Sequence, residues 1–498
     1  MTTRTDYLRD QRDMRHAIGH LSSIPARYAD PIDLSIFTPF FGDDLNAIQE
    51  ASTRIVNSGV PVSAISIPPG LIVRLIELLN KEPQLCQAAL TMLTFISAGL
   101  TFNISEFIAG NFVECAINLF LSSKDALTMS SVIIIIGNLI GDGTLLIGTL
   151  LETGFVNVLG EFVEENRTKY NILPDICWCI CNLTRHIRDK DFPYTTDQLH
   201  TIAGAITRFL PLVESHEQAS YYLGWALTYS LDSAQCANYY DTTHAFFYAL
   251  KFCKIQKKVV GSTVAFFKSI EAFLKQNLPA DKLYLLIRGP LYQQLLRNTN
   301  ASIPATIHST LLDIWILILK LKIDDKALAE QAGLLDGEAV SGILSSSRIS
   351  DPLSYMHTPF TRDTACETLM SIFPSLLQIS TSNNISTLRR IVELLSEFLV
   401  RASVEACQQV IGSSAFICFL EKSLHPSFTE QPDYTRKLLE LILGALEVPG
   451  ISVEAFRNDL SEANLITAIA SLDQDAATSL LVGDILHYLG DSEGAFPE

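Results

Sequence analysis

The sequence predicts an all-α fold made of stacked helical repeats. Two tryptophans stand in the same local frame, Trp178 four residues before Asn182 and Trp225 four residues before Tyr229. Residues four apart lie on one face of an α-helix, so each frame places an indole beside a hydrogen-bonding group. The frames are 47 residues apart, and Trp315 follows Trp225 after 90 residues, or two steps of 45. This spacing indicates a repeat.

A second series of residues has the same period. Gly70, Gly110 and Gly154 each open an amphipathic stretch, at steps of 40 and 44 residues. Repeats of about 40–47 residues with two or three helices are typical of armadillo and HEAT proteins. The sequence therefore predicts an armadillo-repeat, right-handed superhelical solenoid of about ten repeats over residues 36–488. A short N-terminal segment, 1–35, and an acidic C-terminal tail, 489–498, flank it.

The composition agrees with helices that are buried on two sides. Hydrophobic residues make up 48% of the chain and charged residues only 18%, as expected inside a stack. Residues 132–136 favour a strand by propensity, but the period requires a helix there. Residues 132–151 are apolar enough for a membrane span, yet Asp142 would then lie at mid-bilayer. We expect a helix, a turn and a second helix instead, and no membrane insertion.

The net charge of −18 disfavours a nucleic-acid partner and favours a basic one, although solubility alone explains it equally well. The sequence lacks a glycine-rich phosphate loop, a nucleophile elbow and a His-Glu zinc pattern. Cys177, Cys179 and Cys181 do not form a metal site, because Cys179 faces away from the other two on a helix. We therefore expect no enzyme, no cofactor and no metal. An enzyme remains open only if the fold brings a cysteine, a histidine and an acid together.

Five stretches carry a resemblance to a known family. Two are Asp43 to Leu79, as a first repeat, and Ala-Gly-Leu at 98–100 after an apolar helix. The others are Ile-Gly-Asn-Leu-Ile-Gly-Asp-Gly-Thr at 136–144, Cys-Trp-Cys-Ile-Cys-Asn-Leu-Thr-Arg at 177–185, and Gly-Trp-Ala-Leu-Thr-Tyr-Ser-Leu-Asp at 224–232. Over roughly residues 40–235 the sequence resembles a divergent importin alpha (karyopherin alpha). That family comprises armadillo adaptors that carry proteins with basic nuclear localisation signals into the nucleus.

The resemblance implies a concave groove that binds the signal as an extended peptide. Indoles would hold the aliphatic stems of lysine and arginine, asparagine amides would hold the peptide backbone, and Asp142 would select one lysine, with Asp232 as a second acid. The implied binding residues are Asn138, Asp142, Trp178, Asn182, Trp225, Tyr229, Asp232 and Trp315. It also implies an importin-beta-type carrier, an export receptor, and shuttling between cytoplasm and nucleus.

The alternatives to these roles are structural. A tryptophan on a helix is commonly a core residue, Asn138 is also compatible with a satisfied buried amide, and Asp142 with a helix cap. The family begins with a strongly basic segment, whereas residues 1–25 balance four arginines with three aspartates. Segment 1–35 is thus either a degenerate importin-beta-binding region or a cap on the solenoid. The rival function is an armadillo-type scaffold that does not bind localisation signals.

Overall fold

The structure is a computed structural model that describes residues 34–58, 65–99, 104–165, 172–241, 245, 260–276, 305–320, 385–472 and 475–490. Every regular element in these ranges is a helix, so the predicted all-α class is confirmed. The chain divides into two compact units, Met1–Thr243 and His244–Glu498. Residues 1–33 and 491–498, which hold most of the predicted N-terminal segment and acidic tail, lie outside the described residues.

The described part of the first unit contains a 3₁₀ helix at Leu34–Phe41 and another at Leu210–Ser215, which precedes α11. Its α-helices are α1 (Leu45–Val56), α2 (Leu71–Leu78), α3 (Pro83–Ser97), α4 (Ile104–Ala109), α5 (Phe112–Ser122), α6 (Ala126–Asp142), α7 (Ile147–Glu152), α8 (Phe155–Glu165), α9 (Leu173–Asp189), α10 (Thr196–Phe209), α11 (Glu217–Ser230) and α12 (Ala234–Asp241).

One helix of each repeat packs on its counterpart in the next repeat. In the first unit α1 contacts α3, α3 contacts α6, α6 contacts α9, and α9 contacts α11. We call these five helices the first row. Other helices lie between successive members, as in repeats of the armadillo/HEAT type. The repeat architecture predicted from the spacing of Trp178 and Trp225 is thereby confirmed, and both residues lie on the first row, in α9 and α11.

The predicted glycine series marks helix starts. Gly70 and Gly154 have φ values of 78° and 71° and directly precede α2 and α8. Glycine adopts this left-handed conformation without a steric penalty. The turn before α5 is displaced by one residue, since there Asn111, with φ of 53°, takes the left-handed position after Gly110. Asparagine is one of the few other residues that tolerate it.

The β-like stretch 132–136 lies inside α6, as the period predicted. Its aliphatic side chains are buried on more than one face of the helix, and only Ile134 among them is partly exposed. Tertiary packing here overrides strand propensity. Among the described residues, no helix has the length and apolar character needed to cross a membrane.

The second unit repeats this arrangement. Its described helices are α13 (Val260–Lys275), α14 (Ala305–Lys320), α15 (Ile385–Arg401), α16 (Val404–Ile411), α17 (Ser414–Ser423), α18 (Pro426–Thr429), α19 (Pro432–Leu446), α20 (Val453–Glu462), α21 (Leu465–Ala470) and α22 (Ala476–Tyr488). Successive contacts join α13, α14, α15, α19 and α22, which form the second row.

Candidate binding surface on the first row

The indole of Trp178 packs closely against Gly137 of the preceding repeat. A methyl group at Gly137 in α6 would overlap the six-membered ring of Trp178, so only glycine leaves room for this contact. The indole is 7% exposed. Trp178 therefore packs mainly between α6 and α9 and presents little surface to a partner.

Asn182, one turn after Trp178, is also directed at α6. Its Nδ2 donates to the carbonyl oxygen of Gly137 at 3.0 Å, and the side chain is 4% exposed. A methyl group at Gly141 would lie 3.3 Å from the same Nδ2. The pair that sequence predicted as a peptide slot is thus engaged with the neighbouring helix, and its binding role stays a prediction.

Asn138 is more accessible. It is partly exposed, and its Nδ2 donates to Oγ of Ser97 in α3 at 3.0 Å. The amide oxygen is a further acceptor that an incoming backbone N–H can use. Asp142 is the last residue of α6, and its side chain lies outside the described residues. Its predicted selection of lysine therefore stays a prediction.

The second predicted frame forms an aromatic pair on α11. The rings of Trp225 and Tyr229 stack with centroids 5.6 Å apart and planes 28° apart. Trp225 is partly exposed and Tyr229 is buried. The guanidinium carbon of Arg188, from α9, lies 4.6 Å from the centroid of the Tyr229 ring. The chain's own arginine thus makes the cation–π contact that the sequence assigned to a partner.

Two carboxylates stand beside this aromatic pair. Nε of Arg188 donates to Oδ1 of Asp189 at 2.8 Å. The exposed Asp232, just past the end of α11, acts electrostatically on Arg188. The structure therefore stacks Trp225 on Tyr229 and places Asp232 within electrostatic reach of Arg188, while the binding roles of the three predicted residues stay predictions.

One acid on the first row was missed by sequence analysis. Asp175, in the first turn of α9, is partly exposed and accepts a short hydrogen bond from Oγ of Ser130 in α6. Burial raises the pKa of Asp175, and the hydrogen bond from Ser130 lowers it by less. The sequence signal that could have indicated Asp175 is its place one turn before Trp178, in an otherwise apolar segment.

A groove of about 970 Å³ lies at the other end of the first row, between α1, α3 and α6. Lys81 and Asp125 are its charged lining residues. Most of the other polar lining groups are amides and hydroxyls: Gln49, Ser52, Thr53, Asn57, Gln84, Gln87, Thr91, Ser122, Ser123 and Thr128. Amide side chains both donate and accept hydrogen bonds, as required to hold an extended backbone.

The second row is organised differently. Trp315 in α14 is 0% exposed, so its indole belongs to the core of the second unit and offers no surface to a peptide in this structure. Its predicted binding role receives no support from this placement.

Charged side chains of the second row pair with one another. Nζ atoms of Lys268 and Lys275 each lie 2.6 Å from a carboxylate oxygen of the buried Glu271 in α13. Asp313 of α14 pairs with Arg390 of α15 at 2.6 Å, and Lys320 of α14 pairs with Glu393 of α15 at 2.8 Å. These contacts link α14 to α15. Lys268 also lies 3.6 Å from Asp313, which joins α13 to the same network.

The cysteine cluster is part of the core. Cys177, Cys179 and Cys181 are buried, and burial raises the pKa of all three thiols, that of Cys181 to about 12. The thiols are therefore protonated and unreactive at neutral pH. Among the described residues, no group of three or more His, Cys, Asp or Glu side chains is placed to hold a metal ion.

No protein-family model and no curated protein matches this sequence. Solved structures do resemble the chain. An engineered protein matches with 12% identity and a TM-score of 0.64, over 92% of this chain and 98% of that one. This likeness supports the all-helical fold and gives no information on function.

Two further structures align over most of the chain with lower TM-scores. One comes from work on a phosphorylation switch that controls the interaction between cadherin and beta-catenin, with 12% identity, a TM-score of 0.39, and 97% and 96% of the two chains covered. The other shows Kap95p binding that induces the switch loops of RanGDP to adopt the GTP-bound conformation, with 12% identity, a TM-score of 0.40, and 93% and 64% covered.

Proposed function

We propose that this protein is a nuclear import adaptor whose first row binds an extended, basic segment of a cargo protein, namely a nuclear localisation signal. The observation that carries this proposal is the partly exposed Trp225, which stacks on Tyr229. The exposed Asp232 follows Tyr229 by three residues. An aromatic face beside a carboxylate suits a lysine or arginine side chain, because the ring contacts the stem and the acid contacts the charge.

Two other features support a basic, extended ligand. The net charge of −18 attracts a basic segment at long range. The amides of Gln49, Gln84 and Gln87 line the groove between α1, α3 and α6, where they suit the backbone of the same segment. Asn138, between the groove and Trp225 along the row, adds an accessible amide.

The remaining parts of the adaptor role rest on the resemblance to importin alpha. They are an importin-beta-type carrier, an export receptor, and shuttling between cytoplasm and nucleus. The adaptor would transfer cargo without catalysing a reaction, and it would need no cofactor.

A helical-repeat scaffold is the second candidate. It is favoured by one observation, the engagement of Trp178 and Asn182 with Gly137. If these residues serve only to join α6 to α9, the row is a packing surface, and the partners of the protein bind elsewhere.

Fluorescence anisotropy with a lysine-rich localisation peptide at physiological salt separates the two candidates. The adaptor is expected to bind it tightly and to lose that binding when a single key lysine becomes alanine. Trp225→Ala should weaken binding by about two- to thirtyfold, the range of a cation–π contact of ~0.5–2 kcal/mol. Tyr488→Ala, an exposed aromatic residue of the second unit, is the matched control. Weak binding that is equal for both peptides and is removed by salt would support the scaffold instead.

A further inference from the structure

Asp175 is a partly buried carboxylate in the first turn of α9. Among the described residues it forms no ion pair, and its hydrogen-bond partner is the neutral hydroxyl of Ser130. The other titratable groups that act on it are Cys177 and Cys179 on its own helix and Tyr222 on α11. Burial raises the pKa of each of these three groups, so none carries a charge at neutral pH and none offsets the charge of Asp175.

This carboxylate differs from the acids of the second row. Glu271 is more deeply buried, but two lysines neutralise it. Asp313 has Arg390 and Lys268. Removing an ionised carboxylate from water is costly unless a cation compensates for it. The second row places a cation beside each of these acids, whereas the described residues place none beside Asp175. A positively charged group of a ligand would therefore stabilise the ionised form of Asp175.

Asp175 lies on the path along the first row that the proposed function gives to the ligand. Asp175 lies on α9, between Ser130 of α6 and Tyr222 of α11, which are consecutive helices of the first row. Tyr222 in turn accepts a long hydrogen bond, 3.5 Å, from Nε2 of Gln218 at the start of α11. A segment running along the row from the amide groove to Trp225 would pass over this point.

We propose that Asp175 binds the ammonium group of a lysine in the cargo segment. This inference rests on the proposed function and adds a lysine-selecting acid to Asp142 and Asp232. Ser130 occupies Oδ2 of Asp175, which leaves Oδ1 for the ligand. A single free oxygen suits the compact ammonium of lysine better than the guanidinium of arginine, whose two parallel bonds require both oxygens.

The test is a double-mutant cycle between Asp175→Asn and the lysines of the localisation peptide, measured by fluorescence anisotropy on the full chain. Asp175→Asn is expected to weaken binding of the wild-type peptide by roughly ten- to a hundredfold, as for loss of a charged hydrogen bond. One peptide lysine should then lose its contribution in the variant while the others retain theirs. Replacing that lysine with arginine should cost affinity in the wild-type protein. Asp197→Asn, which removes an exposed charge in the first turn of α10, is the matched control.

Thermal unfolding of the same variants supplies the second measurement. Asp175→Asn should leave the melting temperature unchanged or raise it, since an amide is cheaper to bury than a carboxylate and its oxygen still accepts from Ser130. A lower melting temperature would mean that Asp175 is a structural residue and would overturn the proposal.

The binding outcomes separate this proposal from the one it rests on. Selective, wild-type-like peptide binding by Asp175→Asn would remove the assignment of Asp175 and leave the adaptor function intact. Failure of the wild-type protein to distinguish the lysine peptide from its alanine version would overturn both.

Discussion

The guanidinium of Arg188 covers the ring of Tyr229 at 4.6 Å. Arg188 comes from α9 and Tyr229 from α11, so the contact joins two successive repeats of the first row. It also occupies the aromatic face on which the proposed function would place a cation of the ligand. A bound segment must therefore use Trp225, which is partly exposed, or displace the chain's own arginine.

Arg188→Gln is expected to strengthen binding of a basic peptide by about two- to fivefold, because the variant frees the Tyr229 ring for a cation–π contact of ~0.5–1 kcal/mol. Arg185→Gln removes the same charge from the same helix and serves as the control for long-range electrostatics. Anisotropy titrations of both variants at low and high salt provide the measurement. Equal gains for the two variants, both lost at high salt, would show that only net charge had changed.

Asn138 and Asn182 are expected to respond oppositely to alanine substitution. Asn182→Ala removes a buried hydrogen bond to the Gly137 carbonyl and should lower the free energy of unfolding by about 1–2 kcal/mol. Asn138→Ala, at a partly exposed site, should change stability less and weaken peptide binding more. Denaturant unfolding and anisotropy on each variant test this pair. The reverse pattern would mean that the Asn182 amide is the one that holds the ligand.

Gly137→Ala should destabilise the first unit by about 1–3 kcal/mol, since the added methyl group overlaps the Trp178 indole in a packed interface. Gly444→Ala, inside α19 of the second unit, meets no atom within 4 Å. Alanine has the higher helix propensity, so that variant should gain up to about 1 kcal/mol. Circular dichroism melts of the two variants make the comparison. If Gly137→Ala also gained stability, the close contact with Trp178 would be refuted.

Glu271 predicts how the second unit responds to acid. Burial alone would raise the pKa of Glu271, but the charge of Lys268 and hydrogen bonds from Lys268 and Lys275 outweigh it and place the pKa below the ordinary value of 4.5. A carboxylate with a lowered folded-state pKa contributes its full stability above its unfolded pKa. That contribution is lost as the pH falls from about 4.5 through the folded-state value.

Glu271→Gln is accordingly expected to lower the free energy of unfolding by about 1–2 kcal/mol at pH 7. The loss is smaller than for a fully buried ion pair because both lysines reach solvent. The variant should also lose less stability than the wild type between about pH 5 and pH 3, the range in which the Glu271 carboxylate takes up its proton on unfolding. Glu440→Gln breaks an exposed pair with Arg436 and should change little. Denaturant unfolding across this pH range is the measurement, and identical pH profiles for Glu271→Gln and wild type would contradict it.

The fold was largely predictable because residues buried between repeats recur in the sequence at the length of one repeat. The steps between Trp178 and Trp225, and between Gly70 and Gly154, predicted repeats of the observed length and the starts of α2 and α8. The stretch 132–136 shows the limit of local propensity, since its β-branched residues became a helix once both sides were packed.

The binding surface was less predictable, because spacing places residues on one face of a helix without saying which neighbour that face meets. Asn182 is four residues after Trp178, as predicted, but both are directed at Gly137 of the preceding repeat. The glycine 45 residues before Asn182 was a visible signal of close approach. Asp175 was missed because its distinguishing feature, that no cation of the described residues pairs with it, depends on three helices at once.

The contact of Gly137 with Trp178 and Asn182 has a consequence for how the protein unfolds. In a stack of repeats, cooperativity depends on the interface between neighbours more than on the stability of each repeat alone. This contact is such an interface, because α6 contributes the glycine and α9 contributes the indole and the amide. We therefore expect that weakening this contact would make the helices before and after the boundary between α6 and α9 unfold in separate transitions.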